Sequence, residues 1–487
     1  MFQQIILSGF IYNGRELKNI EVKILSQTIM KAETPNKVIL GIILSILTYW
    51  LFAQAFLNIA PEVQATYSTT SSSIINLSVS LTSLITGIFM VAAGNIADKI
   101  GYTKITYIGI FLSIIGSIII ILPFHTSFLI IGRIIQGFSA AMIMPATISI
   151  FNNIFEGEQR RKALSYWSLG AFGGTGLASL FAGTMATFIA WQWIFIVSIV
   201  LSVIALFLLK NIKDVHDKNR GPIEFDFAGL SIFVVMIGAI SIFITQGEVL
   251  GWGSLTSILL IAVFVTGLIV FVIVEQRKHA PFLDLTLFSN KAFLGTVVTN
   301  FLLNTAVGSL ALFNIYTQQG LGMTAFSAGL ITIPYILTML LAIRVGEKSI
   351  GKLGPKPALV SAPLLLAAGL IMLSLTFLGS TAYIVSSLIG FGFFGIGIGL
   401  FATPALDTAV STTPKNKVGV ASAIFKMAST LGGAFGIAII VAVYSAMSNT
   451  VSVAAAGSTA FIVNVVLLIA AFVFALIVIP KVSVKDK

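Results

Sequence analysis

Long, uninterrupted apolar runs constrain the fold of this chain more than any other feature of its sequence. An α-helix needs about 20 predominantly apolar residues to cross the hydrocarbon core of a bilayer, and fourteen runs of this kind follow one another along the chain. Because the runs are continuous and not alternating, they predict helices and not the strands of a membrane barrel. The sequence therefore predicts an all-α membrane protein with short loops. In chain order, predicted spans 1 to 14 begin near Val38, Ile74, Ile105, Ser127, Leu164, Ala190, Phe227, Ser254, Phe293, Ala325, Pro357, Thr381, Val418 and Thr459.

Composition excludes several other classes of protein. Hydrophobic residues make up 57% and charged residues 9% of the 487 positions, against roughly 25% charged residues in an ordinary soluble domain, so a soluble enzyme is excluded. The chain has no cysteine, which removes thiol catalysis, disulfides and thiolate metal sites. Its three histidines, His125, His216 and His279, share no helical spacing, so we expect no metal site. No nucleotide, haem or flavin motif is evident, and we expect no cofactor and no enzymatic activity.

The distribution of basic residues predicts the orientation of the chain. With the N-terminus placed inside, the lysines and arginines of the loops all fall on the inner side. Two further basic residues, Arg133 and Lys426, lie within spans. The bias predicts an even number of spans with both termini in the cytoplasm. It also explains the net charge of +11 by contact with an anionic leaflet, and it argues against nucleic acid as a partner.

An internal repeat is visible in the positions of a few residues near span ends. Lys99-Ile100-Gly101 follows span 2 and Lys352-Leu353-Gly354 follows span 10, while Pro145 and Pro404 lie late in spans 4 and 12. The two offsets, 354 − 101 = 253 and 404 − 145 = 259, agree within six residues. They predict two six-helix halves separated by an inserted pair, an architecture typical of secondary transporters, which hold their substrate between the halves.

The repeat divides the chain into five predicted segments. The first 29 residues lack the layout of a signal peptide, and they are either an upstream extension of the reading frame before Met30 or a helix lying on the membrane surface. The predicted segments are a cytoplasmic N-terminal segment (1–37), an N-terminal bundle (38–210), inserted helices 7 and 8 with their loops (211–292), a C-terminal bundle (293–480) and a cytoplasmic tail (481–487).

The segment that joins spans 2 and 3 has the sequence GNIADKIGYTK, residues 94–104. Its glycines permit a tight turn and close helix approach, and its aspartate needs a donor, which a neighbouring helix N-terminus can supply. The segment resembles the loop 2–3 signature of the major facilitator superfamily. The resemblance implies a conformational latch that holds the halves together when the cavity is open outward, with the aspartate near Gly419 at the start of span 13. The latch residues are Gly94, Asp98, Lys99, Gly101 and Lys104.

Span 4 carries an arginine in the sequence GRIIQG, residues 132–137. Arg133 lies about six residues, or ~9 Å, from the predicted outer end of the span. A charge at that depth costs about 2.5–3.5 kcal/mol and needs partners inside the bundle. The motif resembles the span 4 motif of proton-driven antiporters, where the arginine is tied to proton coupling. The resemblance therefore implies a coupling role for Arg133 with its neighbour Gln136.

Further segments resemble the fourteen-helix drug:proton antiporter family of this superfamily. They are residues 431–438 (LGGAFGIA) in span 13 and 281–285 (PFLDL) after span 8, while residues 300–304 and 402–409 look most like the Nor-type quinolone and multidrug efflux pumps of Gram-positive bacteria. Span 5 departs from the pattern, because Ala178-Ser179 stands where such exporters carry Gly-Pro, although the small-residue stripe survives. The resemblance implies a major facilitator fold of two six-helix bundles plus two inserted helices.

Proton coupling requires a carboxylate that titrates as the cavity alternates. Span 1, where many relatives place an aspartate, has no acidic residue between positions 51 and 58. The best candidate is Asp407, because it lies one turn after Pro404 near the inner end of a core helix. Asp226 and Glu275 at the inner ends of spans 7 and 8, and Glu62 at the outer end of span 1, are weaker candidates.

The substrate pocket should lie between the halves, on spans 1, 4, 5, 9, 10 and 12. Large apolar cavities with few polar groups suit bulky amphipathic molecules, and aromatic faces attract lipophilic cations. The absence of an acid in the middle of the spans favours zwitterionic or neutral drugs. The polar and aromatic candidates are Trp50, Gln54, Phe138, Asn300, Asn304 and Tyr335.

Together these features predict a proton-coupled multidrug efflux antiporter of the bacterial plasma membrane. It would export hydrophobic or amphipathic drugs such as quinolones, dyes or biocides by alternating access. Its partners would be small-molecule drugs, protons and the lipid bilayer, with no nucleic acid, and it would work as a monomer. One alternative keeps the fold but makes the protein a proton-coupled metabolite uptake symporter. Another is a membrane receptor or assembly factor that transports nothing.

Overall fold

The computed structural model describes residues 35–67, 72–122, 125–212, 226–279, 281–414, 417–448 and 450–481. The alternatives for residues 1–29, and the tail beyond residue 481, lie outside the described residues. Helices of the first half are α1 (Pro35–Asn58), α2 (Ala60–Thr66), α3 (Ser72–Ile100), α4 (Tyr102–Ile121), α5 (Thr126–Ile154), α6 (Gly157–Phe188) and α7 (Trp193–Leu209). The inserted pair is α8 (Phe227–Leu250) and α9 (Leu255–Arg277).

A short 3₁₀ turn (Leu285–Ser289) leads from the inserted pair into the second half. The helices of that half are α10 (Lys291–Asn304), α11 (Val307–Ile315), α12 (Ala325–Ile331), α13 (Ile333–Leu353), α14 (Lys356–Leu373), α15 (Ser380–Ser411), α16 (Val418–Ser448) and α17 (Val453–Val478), with a π-helical turn (Tyr316–Gly320) after α11.

Side-chain caps mark where several helices leave the aqueous loops. The Asp226 carboxylate accepts a hydrogen bond from the amide of Gly229 at the start of α8, and Asn290 accepts from two amides in the first turn of α10. These caps satisfy backbone donors that have no partner inside the helix. Polar residues of the loops thus fix where the apolar helices begin.

Eleven helical segments of the described residues are long and apolar enough to cross a membrane. Three predicted spans are not among them, and they correspond to α1, α6 and α7. Helix α7 has 17 residues, slightly fewer than a typical spanning helix, whereas α1 has 24. Helix α6 has 32 residues, more than the length that crosses the hydrocarbon core. The described residues form an all-helical membrane fold.

The contacts between helices repeat from one half to the other. In the first half, α1 packs against α6 and α7, α5 against α3 and α4, and α4 against α7. In the second half, α10 packs against α16 and α17, α15 against α13 and α14, and α14 against α17. The turn that follows α3 and the turn that follows α13 match as well, because Gly101 and Gly354 adopt φ angles of 113° and 74°. The structure thus has the internal duplication that the sequence offsets indicated.

Several contacts between long helices join the halves, and two of them are related by the same repeat and are compared below. We call the contact of α3 with α16 the first seam and the contact of α6 with α13 the second seam. Helix α8 of the inserted pair packs against both α3 and α16, so it covers the first seam. The spanning stretch of α9 is only 11% buried, so this helix forms the outer layer on that side. The inserted pair makes an otherwise symmetric molecule asymmetric.

Candidate transport site

The buried arginine of α5 is held by uncharged groups of the first half. Arg133 is 0% exposed, its Nε donates a hydrogen bond to the Ser78 carbonyl at 2.9 Å, and one terminal nitrogen donates to Gln136 Oε1 at 3.3 Å. Gln136 in turn donates to Ser117 Oγ at 3.1 Å. The guanidinium also lies 4.5 Å from the centre of the Phe56 ring. The cluster gives the charge hydrogen bonds and aromatic contact in place of water.

At the first seam, the structure places Asp98 directly against the N-terminus of α16. A Cβ atom added at Gly419, the second residue of α16, would lie only 1.8 Å from Asp98 Oδ1, so only glycine allows this approach. Glycine is needed on the other helix too, since a Cβ at Gly94 would lie 2.7 Å from the Cβ of Ala423. A carboxylate at this position meets the positive end of the helix dipole and its free amides.

A tyrosine completes the surroundings of this carboxylate. Tyr102 donates a hydrogen bond from its hydroxyl to Asp98 Oδ1 at 2.7 Å. Gly101 makes the turn between α3 and α4 with its positive φ angle. Lys99 is partly buried and Lys104 is exposed. The five predicted latch residues therefore surround one turn, and Gly94 and Asp98 contact α16.

At the same end of the molecule, Asp407 does not lie free in a cavity. It is 2% exposed, and its Oδ1 is 3.0 Å from a terminal nitrogen of Arg160 in α6. The bridge connects α15 of the second half to α6 of the first. A second basic residue acts nearby at the second seam, where Arg344 lies 4.1 Å from the centre of the Tyr166 ring. The predicted cytoplasmic ends of the halves are thus joined by several polar contacts.

The loop that follows the inserted pair, residues 281–289, also links the halves; we call it the strap. Asn95 of α3 donates a hydrogen bond to the Phe282 carbonyl at 3.2 Å, and Lys417, just before α16, reaches Asp284 at 2.5 Å. Partial burial alone would raise the pKa of Asp284, but the contacts with Lys417 and Thr286 outweigh it and lower that pKa below its ordinary value. The strap therefore holds an ionised carboxylate beside the first seam.

A narrow cleft lies between the halves in the middle of the molecule. Its volume is about 20 Å³, room for a water molecule and far below the ~300–1,000 Å³ of a drug site. The first half contributes Tyr49, Trp50 and Ser83 to its lining. The second half contributes Asn304, Val307, Ser429, Thr430, Gly433, Ala434 and Ile437.

The structure places the predicted substrate residues in different surroundings. Trp50 and Asn304 line the cleft. Asn300 is fully buried and donates to the Phe425 carbonyl at 2.8 Å, which ties α10 to α16. Tyr335 is buried against Phe394 in the second half. Phe138, which is partly buried, packs against Phe89 with ring centres 4.6 Å apart, and the side chain of Gln54 lies outside the described residues.

Sequence reasoning did not find several partners that the structure supplies. In the sequence, Arg160 is only one of the basic loop residues that indicate orientation, because its partner Asp407 is 247 residues away. Lys426 of α16 is 1% exposed, and its ammonium lies 4.9 Å from the Trp167 ring and 5.6 Å from the Phe172 ring, both on α6. No short-range pattern indicates such contacts. Among the described residues, no cluster of three or more potential metal ligands occurs.

Two duplicated helical bundles that meet around a central cleft, with charged contacts at one end, define a transporter of the alternating-access class. The sequence profile of the Major Facilitator Superfamily matches residues 38–437, and the chain belongs to that superfamily. It is a transporter and not an enzyme. The chain is 44% identical over 449 residues to the quinolone resistance protein NorB of Staphylococcus aureus strain COL, which covers 92% of this chain and 97% of that protein.

Other comparisons agree with this assignment. NorB of Staphylococcus aureus strain JH9 matches with the same identity and coverage. Among solved structures, the human organic anion transporter MFSD10 (TETRAN) superposes with a TM-score of 0.63 at 14% sequence identity, over 90% of this chain and 98% of that one. At that identity the likeness shows a shared fold. The predicted resemblance to Nor-type efflux pumps is confirmed by the relatives.

Proposed function

We propose that this protein is a proton-coupled multidrug efflux antiporter of the bacterial plasma membrane, which exports amphipathic drugs such as quinolones by alternating access. The relatives named as quinolone resistance proteins cover almost the whole chain, which supports export over metabolite uptake. The structural observation that carries the proposal is the cleft lined by both halves. A site built from two bodies changes its exposure when those bodies rock against each other.

The topology in this proposal is the fourteen-span arrangement with both termini in the cytoplasm. The eleven strongly apolar segments and helices α1, α6 and α7 together make up that number. The basic loop residues support the orientation. A single chain contains both halves of the cleft, so a monomer in the lipid bilayer suffices for transport.

The contacts at the predicted cytoplasmic end act in this mechanism as an inner gate. Gly94 and Asp98 dock α3 on the start of α16, while Arg160 and Asp407 bridge α6 and α15. Lys99, Gly101 and Lys104 shape the turn and its basic edge. With these contacts formed, access from the cytoplasm is closed and the cleft can open only outward.

Proton coupling is assigned to Arg133, Gln136 and Asp407. Protonation of Asp407 would remove the negative charge that Arg160 pairs with, and so would loosen the inner gate. Arg133 and Gln136 lie in the other leaflet, about 10 Å from the start of α5. There the guanidinium can respond to charge changes when the outer ends of the halves separate. The two coupling sites thus lie towards opposite faces of the membrane.

Substrate contacts are assigned to the cleft and the helices beside it. Trp50 and Asn304 contact the drug directly in this proposal. Phe138 and Tyr335 provide aromatic surface once the halves separate, and Gln54 lies on the same helix as Trp50. Asn300 positions Asn304, which donates to the Asn300 side chain at 2.9 Å.

Everted membrane vesicles test the function. A pH gradient is established, a drug is added, and we expect antiport to dissipate the gradient in wild-type vesicles. We expect Arg133→Ala to insert normally but to lose at least about tenfold in this response, because the coupling charge is gone. Arg277→Ala, which removes an exposed arginine at the end of α9, is the matched control.

The outcomes separate the candidate functions. Drug-induced dissipation by wild type that Arg133→Ala abolishes supports the antiporter. Dissipation that persists unchanged in Arg133→Ala contradicts the coupling role. Vesicles in which drugs never affect the gradient, while an added metabolite does, would point to the uptake symporter instead.

A further inference from the structure

A second buried cation lies between the halves, and the mechanism above does not use it. Lys426 begins the third turn of α16, about 12 Å from the predicted cytoplasmic end of that helix. Its ammonium lies over the Trp167 and Phe172 rings, and nothing in the described part of the chain accepts its hydrogen bonds or pairs with its charge. A buried ammonium has three hydrogen-bond donors. The two aromatic faces attract its charge, but they do not supply the acceptor oxygens that an anion would.

The position of this ammonium relates it to the cleft. Ser429 and Thr430, three and four residues further along α16, line the cleft, so Lys426 lies on the same helix face. The two rings that cover it belong to α6 in the other half. Separation of the halves at the cytoplasmic end would therefore uncover the ammonium and extend the cleft down to it.

A second donor without an acceptor lies beside the same stretch of α6. Trp50 lines the cleft, and within the described residues its buried indole Nε1 has no hydrogen-bond partner. A Cβ atom added at Gly174, two residues after Phe172, would lie 2.6 Å from the Trp50 Cβ. Trp50 also shares the lining of the cleft with Ser429 and Thr430, which lie about one turn beyond Lys426 on α16. A buried N–H without an acceptor costs about 1–3 kcal/mol, a cost that a bound acceptor would remove.

We infer that these groups form the recognition site for a carboxylate on the exported drug. This inference rests on the proposed function and names its substrate class: amphipathic aromatic acids and zwitterions. The Lys426 ammonium pairs with the carboxylate, the Trp50 indole donates to an oxygen of the same molecule, and the Trp167 and Phe172 rings contact its aromatic body. Within the described residues, both polar groups of this site are donors, which fits an acceptor-rich anion and disfavours a dication.

The test compares three probes that differ in charge. They are a fluoroquinolone with its free carboxylate, the carboxamide of the same compound, and the lipophilic cation ethidium. Export is measured in cells producing equal amounts of wild type, Lys426→Met, Lys426→Arg and the control Lys348→Met, whose lysine is exposed on α13. Binding to the purified proteins is followed in parallel by quenching of tryptophan fluorescence.

For Lys426→Met we expect carboxylate export and affinity to fall about tenfold or more, the effect of losing a charge-assisted hydrogen bond. Carboxamide and ethidium export should stay within about twofold of wild type, and Lys426→Arg should restore much of the carboxylate export. Equal losses for all three probes, or no loss for any, would overturn the inference. A wild type that exports ethidium and the carboxamide but not the carboxylate also defeats it while leaving the efflux function intact. A wild type that exports none of the three defeats both.

Discussion

The two seams that join the halves are related by the internal repeat, yet they are held together differently. At the first seam a carboxylate, Asp98, lies against the first turn of α16, with glycine on both helices. The position that corresponds to Asp98 at the second seam is 98 + 253 = 351, and Gly351 faces open space. There Arg344 contacts the Tyr166 ring. The polar contact of one seam is a close approach of a carboxylate to a helix start, and that of the other is made by a long side chain.

The inserted helices explain part of this difference. Helix α8 covers the first seam, and the strap connects Asn95 on one side of it to Lys417 on the other. The second seam has no such cover among the described residues. A charge-to-helix contact is short and directional, whereas a guanidinium on an aromatic face tolerates sliding. We therefore expect the contacts of the first seam to form and break when the halves rock. The second seam should stay in contact and act as the hinge.

The largest effect should come from substitution at Gly419. In Gly419→Val the side chain would occupy the space of the Asp98 carboxylate, since even a Cβ atom would lie 1.8 Å from Oδ1. We expect dye export to fall more than about tenfold, since the seam cannot form without losing a contact worth about 1.5–3 kcal/mol. The measurement is the export rate of ethidium, normalised to the amount of protein in the membrane.

The comparison of the seams supplies the control for this variant. Gly351→Val places the same side chain at the second seam, at the position that corresponds to Asp98, where a Cβ atom meets nothing within 4 Å. We expect export to stay within about twofold of wild type, as for other exposed substitutions. Similar losses in both variants would show that the two seams are equivalent, against the asymmetry argued here.

A smaller effect should follow when the bridge between α6 and α15 is broken. Asp407→Asn leaves Arg160 facing a neutral amide, and we expect the inner gate to open more often and export to fall severalfold. Breaking a buried pair costs about 3–5 kcal/mol, but Arg160 is 22% exposed and water would reduce that figure. Arg160→Gln should have a similar effect, and the double variant should be no worse than either single one.

The absence of cysteine makes gate opening directly measurable. Spin labels attached to cysteines introduced at Lys104 and Lys348, which are exposed on α4 and α13, report the separation of the halves at this end. We expect Asp407→Asn to shift the population towards longer distances. An unchanged distance distribution, together with lost transport, would show that Asp407 acts in proton transfer and not as part of the gate.

The sequence predicted those features that depend on local patterning. Apolar run length located the helices, and the offsets of Gly101 and Gly354 indicated the duplication, because a turn with positive φ requires glycine in each copy. The segment containing Asp98 was also found from sequence, since its glycine spacing is local. These features need no knowledge of which helices are neighbours.

Pairings across large sequence separations could not be predicted in this way. Arg160 and Asp407 are 247 residues apart, and nothing in either segment identifies the other as its partner. Lys426 looked like an isolated charge, because the rings that cover it lie on α6. Sequence could not tell which polar residues of a helix face the cleft. Asn304 lines the cleft, whereas the Asn300 amide donates to the backbone of α16. Helix rotation within the bundle decides such cases.

The smallest effect is expected at the strap. Asp284→Asn removes the charge that Lys417 contacts, but both side chains are partly exposed, 17% and 39%, and such pairs contribute only about 0–1 kcal/mol. We expect a small shift of the spin-label distances towards the open gate and less than about a twofold change in export.

The lowered pKa of Asp284 also predicts how this contact depends on pH. Because the carboxyl pKa is depressed, the contact is fully ionised above the ordinary value of about 3.9, and its stabilisation is lost only as the pH falls through the lower, folded-state value. Between pH 7 and pH 5 the strap's contribution, taken as the difference in distances between wild type and Asp284→Asn, should therefore stay constant. If that difference disappears by pH 5, Asp284 titrates in the range where proton-driven transport operates, and the strap is then part of the coupling machinery at the first seam and not a passive tie across it.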